Sequence, residues 1–362
     1  RDRLRSRGLG DVYKRQAHAC GLILAVTLVL NVVVYIFIDP ILNFLRVPEE
    51  VWGGMREYLL IIFAGLLATS LYNFFSCLLR ALGNSTVPLV FLAVSAILNI
   101  AWDLLFVAVF HWGIAGAAYA TIFAQYVSGI GILLYVLFRC RSLLPERKDL
   151  RFDGGILKEI AGLSSLTCLQ QSVMNFGILM VQGLVNSFGA ITMAAFAAAV
   201  KIDTFAYLPV QDFGNAYSTF VAQNYGAGNK ERIRRGTKES FAISTAFSLV
   251  ISALVFAFAA PLMQIFVSSA ETAVIASGIR YLRIEGAFYF GIGCLFLLYG
   301  YYRAIKRAEM SVVLTVISLG IRVLLAYVLS ATSLGETGIW MAIPIGWILA
   351  DLTGLLYMRK TW

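Results

Sequence analysis

The sequence predicts an all-α polytopic membrane protein, built as a two-lobe parallel repeat with ten of an expected twelve transmembrane helices. Three observations carry this prediction. The chain is 60% hydrophobic and only 14% charged, with a mean hydropathy of +0.80, a balance foreign to soluble domains of this length. Its apolar residues fall in ten runs, each long enough to cross a bilayer at ~20 residues per crossing. Residues in the two halves also recur at a nearly constant offset.

The runs are 18–45, 58–79, 87–110, 114–138, 160–186, 192–222, 241–267, 281–302, 310–330 and 338–358. Residues 1–16, RDRLRSRGLGDVYKRQ, do not match the rest of the chain. They read as a non-native leader, resembling translated adaptor sequence, and carry no fold argument. Pro40, Pro209 and Pro261 lie within runs and predict kinks or broken helices.

The loops between runs alternate in charge. Loops 80–86, 139–158, 224–238, 303–309 and 359–360 hold seventeen Lys and Arg. The opposite set, 46–57, 111–113, 187–191, 268–283 and 330–338, holds four. The basic set is therefore expected to be cytoplasmic. This placement also accounts for the net charge of +9 without a nucleic-acid partner, because the cations punctuate apolar runs rather than lining one polar face. The five cysteines form no pair motif, so neither a disulfide framework nor a metal site is expected.

The repeat is parallel. Tyr58 matches Tyr281 and Arg80 matches Arg303, both 223 residues apart; Pro40 and Pro261 are 221 apart, and Gly113-Ile114 and Gly338-Ile339 are 225 apart. Parallel repeats are related by an axis along the membrane normal, with the ligand site between the halves. The first lobe, 17–138, holds four runs and the second, 159–362, holds six, with a charged linker at 139–158. Two further spans are thus expected before residue 18, and the chain without them is not expected to transport.

Within this frame the stretch LNIAWD at 98–103 stands out. Asn99 and Asp103 are four apart and share a helical face. Asp103 lies nine residues before Trp112, and Thr121 nine after it. At ~1.5 Å per residue both sit about 14 Å below that turn, near the middle of a hydrocarbon core roughly 30 Å thick. Asn99, Asp103 and Thr121 could meet there as a small oxygen-lined site. A carboxylate at that depth costs on the order of 3 kcal/mol, which favours an ion or substrate path over an acid that only bonds neighbouring helices.

The second half is chemically different. At the repeat offset Asn99 falls on Arg322 and Asp103 on Ala326. Arg322 either pairs with an acid or lines a cavity. Gln170, Gln171 and Asn175, with Gln182 and Asn186, give the fifth run more polarity than lipid tolerates, so one face lines a cavity or a partner helix. Asp212 lies near the midplane, whereas Lys201 and Asp203 read as an interfacial ion pair nearer the external boundary. The substrate-cavity candidates are accordingly Gln170, Gln171, Asn175, Asp212 and Arg322.

No phosphate-binding GxxxxGK[ST] motif is present; Gly226-Ala227-Gly228-Asn229-Lys230-Glu231 only approaches it. No His lies at membrane depth, and no Cys or Ser stands beside a base. The chain is therefore not expected to be an enzyme, and any transport would draw on an ion gradient or another subunit.

The stretches RALGNSTVPL at 80–89, LNIAWD at 98–103, GIAGAAYAT at 113–121 and VKIDTFAYLPVQDFGNAYSTFVAQNYGAG at 200–228 resemble the multidrug and toxic compound extrusion (MATE) transporters. The resemblance covers residues 18–362. It implies twelve helices in two six-helix lobes around a cavity open alternately to each side. It also implies a cation site at Asn99, Asp103 and Thr121, and a secondary antiporter that exports organic, cationic compounds in exchange for H+ or Na+. It implies a multi-pass plasma (inner) membrane protein, monomeric, with no cofactor, a small-molecule substrate and the lipid bilayer as partners. The family's acid on the first helix has no counterpart here, and where some members carry an acid early in the second lobe this chain has Gln170 and Gln171. The alternatives are a lipid-linked oligosaccharide flippase of the same superfamily, which favours a strongly cationic cavity, and a non-transporting membrane scaffold.

Overall fold

The computed structural model describes residues 2–44, 49–141 and 152–361. These form thirteen α-helices and one π-helical segment, with no strand among the described residues. The chain divides into two compact units, residues 1–162 and 163–362.

The first unit opens with α1 (Asp2–Phe44), which extends back through the stretch read as a leader. Phe37 leaves helical geometry at φ −106°, ψ 17°, three residues before Pro40. The proline ring and its missing N–H break the local ladder, as expected. Helices α2 (Glu49–Ala64) and α3 (Leu66–Ala81) are one span interrupted at Gly65. Val34, Ile38 and Leu42, spaced by four on α1, bury against Trp52, Leu59 and Phe63 of α2. Outside that contact Arg56 Nε donates to Asp39 Oδ1 at 2.7 Å.

After a turn through Gly83, at φ 87°, come α4 (Thr86–Asp103), the π segment Leu104–Val109 and α5 (Gly113–Arg139). Phe75 and Leu79 of α3 pack with Ile132 and Val136 of α5. The two helices approach so closely at Gly129 that a Cβ there would strike the Ala68 carbonyl. Residues 142–151, half of the expected linker 139–158, lie outside the described residues. Helix α6 (Gly154–Ser187) begins in this unit, where Asp153 N–H donates to His18 Nε2 at 2.8 Å and Arg15 pairs with Glu159 at 2.7 Å.

The second unit holds the rest of α6, then α7 (Ala190–Gly226), α8 (Lys230–Ala257), α9 (Ala259–Gln264), α10 (Thr272–Gly286), α11 (Tyr289–Ala304), α12 (Ala308–Ser330) and α13 (Glu336–Thr361). Its core lies around α11: Leu295, Leu297, Leu298 and Tyr302 are fully buried. Trp340 of α13 stacks on Phe196 of α7 at 5.5 Å and meets Tyr281 of α10 edge-on at 4.9 Å. The near-miss phosphate motif is a helix–turn–helix corner: Gly228 takes φ 70°, and the Asn229 side chain caps α8 by accepting from Arg232 N–H.

Among the described residues nine helical spans, plus the pair α10–α11 bent by 51°, are long and apolar enough to cross a membrane. They match the ten runs read from sequence, with three corrections. Segments 46–57 and 268–283, expected as loops, are largely the first turns of α2 and α10, whose glutamates, arginines and serines lower the hydropathy without breaking the helix. Helix α8 likewise starts at Lys230, within the expected loop 224–238. Finally, Pro209 lies in an α7 that remains one helix, whereas Pro261 sits in the short α9 beyond the break at Phe258.

The repeat extends to backbone detail. The broken span runs Glu49–Ala81 in the first half and the bent pair Thr272–Ala304 in the second. Both ends are offset by 223 residues (272 − 49 and 304 − 81). Two residues past each end, Gly83 and Lys306, again 223 apart, adopt the same left-handed turn, at φ 87° and 61°.

Candidate functional site

Helix α4 carries Ser95, Asn99 and Asp103 at intervals of four, one stripe along the helix. The Ser95 hydroxyl donates to the Ala124 carbonyl of α5 at 2.8 Å, which turns that stripe toward α5. Because α4 and α5 run antiparallel through a tight turn, the register set by this bond brings Asn99 level with Thr121, with Asp103 one turn nearer the His111 corner. Asn99, Asp103 and Thr121 are each half-buried. Among the described residues no hydrogen bond joins their side chains; the Thr121 hydroxyl donates within its own helix to the Ala117 carbonyl at 3.0 Å.

Asn99 Nδ2, a donor on α4, is buried with no partner, as is Gln125 Oε1, an acceptor on α5 one turn from Thr121 that lies against Gly65 at the break between α2 and α3. Gln125 does not stand out in the sequence, although its spacing of four from Thr121 is the signal that finds it. Immediately after Asp103 the backbone widens into the π segment, an uncommon geometry that recurs at functional sites.

The second unit holds an acid centre that the sequence reading misplaced. Asp203 is not paired with Lys201. It is 3% exposed, and its carboxylate accepts from the Tyr281 hydroxyl at 2.6 Å and from the Tyr289 hydroxyl. Lys201 is exposed, with its ammonium 5.6 Å from the Phe266 ring centroid. The reason is helical geometry: residues two apart point to nearly opposite faces. Glu285, also buried, lies close enough to interact with Asp203 and Tyr281, and its Oε2 has no hydrogen-bond partner.

Arg322 reaches the same place. Its guanidinium lies near Asp203 and Glu285. Among the described residues Arg322 forms no ion pair with an acid, and its buried Nε has no partner. The equivalent positions Asn99 and Arg322 thus both present a buried nitrogen with no acceptor.

The remaining cavity candidates differ in burial. Gln170 is buried, whereas Gln171, Asn175 and Asp212 are exposed along α6 and α7. A third buried acid, Asp351 on α13, leaves Oδ1 unpartnered. No group of three or more His, Cys, Asp or Glu suited to a metal occurs among the described residues.

The family model described as MatE matches residues 11–105 and 166–328. The chain is 31% identical over 323 residues to "Probable multidrug resistance protein YpnP" of Bacillus subtilis (strain 168), covering 89% of this chain and 71% of that protein. It is 26% identical to "Probable multidrug resistance protein NorM" of Thermotoga maritima, covering 88% and 70%. In three dimensions it aligns with a solved structure titled "Outward-facing conformation of a multidrug resistance MATE family transporter of the MOP superfamily." The TM-score is 0.89 at 23% identity, over 98% of this chain and 83% of the other.

Proposed function

Because this chain belongs to the MatE family of multi-pass efflux transporters, we propose that it is a secondary antiporter that expels organic, cationic compounds in exchange for protons or sodium. The observation that carries this reading is the placement of carboxylates on membrane-crossing helices: Asp103 beside an unpartnered amide in the first unit, and Asp203 with Glu285 in the second. Such acids are expensive to hold in a bilayer and usually mark ion paths.

In this reading Asn99, Asp103 and Thr121 form the coupling site. Asp203 and Glu285 supply a second acidic centre near Arg322. Loading or unloading a proton or cation changes the net charge of each centre, and so biases the protein between states open to opposite sides of the membrane. Gln170, Gln171, Asn175 and Asp212 remain the candidates for contact with substrate. The names of the relatives, multidrug resistance proteins in both species, support the substrate class.

The test is flux of a cationic dye into everted vesicles containing the full-length gene product. A proton or sodium gradient should drive accumulation, and collapse of that gradient should end it. Accumulation that persists without either gradient, or that depends on added nucleotide, would overturn the reading.

A further inference from the structure

At the end of the second unit that carries the basic loops lies a cavity of about 680 Å³, inside the roughly 300–1,000 Å³ range of ligand pockets. Cations enter it from three separate elements: Lys230 and Arg234 from the first turns of α8, Arg307 from the turn before α12, and Lys360 from the last turn of α13. The lining holds one acid, Glu231, so its formal charge is +3 (four cations less one anion). The floor is apolar, formed by the buried Ile233, Tyr301 and Ile305.

Among the described residues neither Lys230, Arg307 nor Lys360 pairs with a carboxylate. Arg307 instead donates from Nη1 to the Tyr357 hydroxyl at 2.5 Å. Arg235 shows the contrast. It lies outside the cavity on the same helix as Lys230 and is matched by Glu239 at 2.8 Å. Arg235 on the open face of α8 thus has a counter-charge, whereas Lys230, Arg307 and Lys360, from three elements, converge on the cavity without a carboxylate partner among the described residues. The positive end of the α8 dipole adds to the same field.

We propose that this cavity binds a phosphate group. Lysine and arginine side chains with nearby phenolic hydroxyls suit phosphoryl oxygens, which accept several charge-assisted hydrogen bonds at once. The chemistry is shared by the headgroup of an anionic phospholipid and by free phosphate. Basic pockets near the headgroup level of transmembrane bundles commonly take the former.

The experiment uses the full chain in neutral detergent with three probes: short-chain phosphatidylglycerol, short-chain phosphatidylcholine and inorganic phosphate. Native mass spectrometry should show a one-to-one adduct with phosphatidylglycerol but not phosphatidylcholine, displaced by millimolar phosphate. Lys230→Gln with Arg307→Gln should lower adduct occupancy by at least roughly five-fold, Lys360→Gln alone should lower it less, and Arg235→Gln should leave it unchanged. The substituted side chains are exposed, and unliganded Tm values equal to wild type will confirm that each variant is folded. A phosphate-dependent rise in Tm without lipid adduct, lost in the double variant, would assign the same site to soluble phosphate. Adduct and Tm shift both insensitive to the double variant, or equally reduced by Arg235→Gln, would overturn the proposal.

Discussion

The Tyr281 hydroxyl of α10 donates to Asp203 Oδ2 of α7 at 2.6 Å, across a sequence separation of 78 residues. The same tyrosine ring packs edge-on against Trp340 of α13. One side chain therefore ties three helices of the second unit together and feeds a polar contact to the buried acid. Tyr281→Phe keeps the ring and removes only the donor. Unfolding in detergent should show a loss of about 1–3 kcal/mol, the range for a hydrogen bond to a charged group or an acceptor left unpaired. In an Asp203→Asn background that cost should shrink, and the double-mutant cycle measures the coupling directly.

Asp103→Asn keeps the volume of the side chain and removes its ability to carry charge. Gradient-driven dye efflux by the full-length protein should be abolished while membrane expression stays at the wild-type level. Normal efflux would remove Asp103 from the coupling site. Thr121→Ala, which deletes a hydroxyl bonded only within its own helix, should raise the half-saturating cation concentration rather than abolish flux.

Gly129 and Gly183 predict opposite responses to the same substitution. A Cβ at Gly129 would meet the Ala68 backbone, whereas one at Gly183 has open space within 4 Å. Gly129→Ala should cost about 1–3 kcal/mol by forcing α3 and α5 apart. Gly183→Ala should be neutral or stabilising by up to about 1 kcal/mol, because alanine is the better helix former. Paired thermal melts check both.

Glu336 at the start of α13 joins two other helices. Its Oε2 accepts from Thr192 of α7 at 2.7 Å and Ser277 of α10 at 3.1 Å, and its Oε1 lies 3.4 Å from Arg280 Nη1. Glu336→Ala should speed amide hydrogen exchange at the starts of α7, α10 and α13 while leaving α11 protected. Uniform exchange across the unit would mean that the carboxylate is not a local clamp.

The spans are legible in the sequence because hydropathy over ~20 residues reports them directly, and the offset between Tyr58 and Tyr281 already carries the duplication. What the sequence hides is partnership. Lys201 and Asp203 are adjacent on paper but separated around the helix, and the true partners of Asp203 come from 78 and 86 residues away. Glu285 escapes notice because the apolar run begins at Tyr281, so the acid falls at its edge; the helix starts at Thr272, which places Glu285 well inside the bent pair. Asn99 and Asp103 are legible because their relation is local, four residues along one helix. The buried oxygen of Gln125 is not, since only packing against the neighbouring helix leaves it unpartnered.

The unpartnered nitrogens of Asn99 and Arg322 sit 223 residues apart, one in each copy of the duplicated segment. A duplicated gene is free to change one copy while the other keeps its task, and here the change is in charge: an uncharged amide near a lone acid in one copy, a permanent cation near two acids in the other. Shape is inherited twice, ionic character once. The two halves will therefore answer the same change in salt or acidity differently, and a chimera carrying two first halves, however well it folded, would have lost that asymmetry.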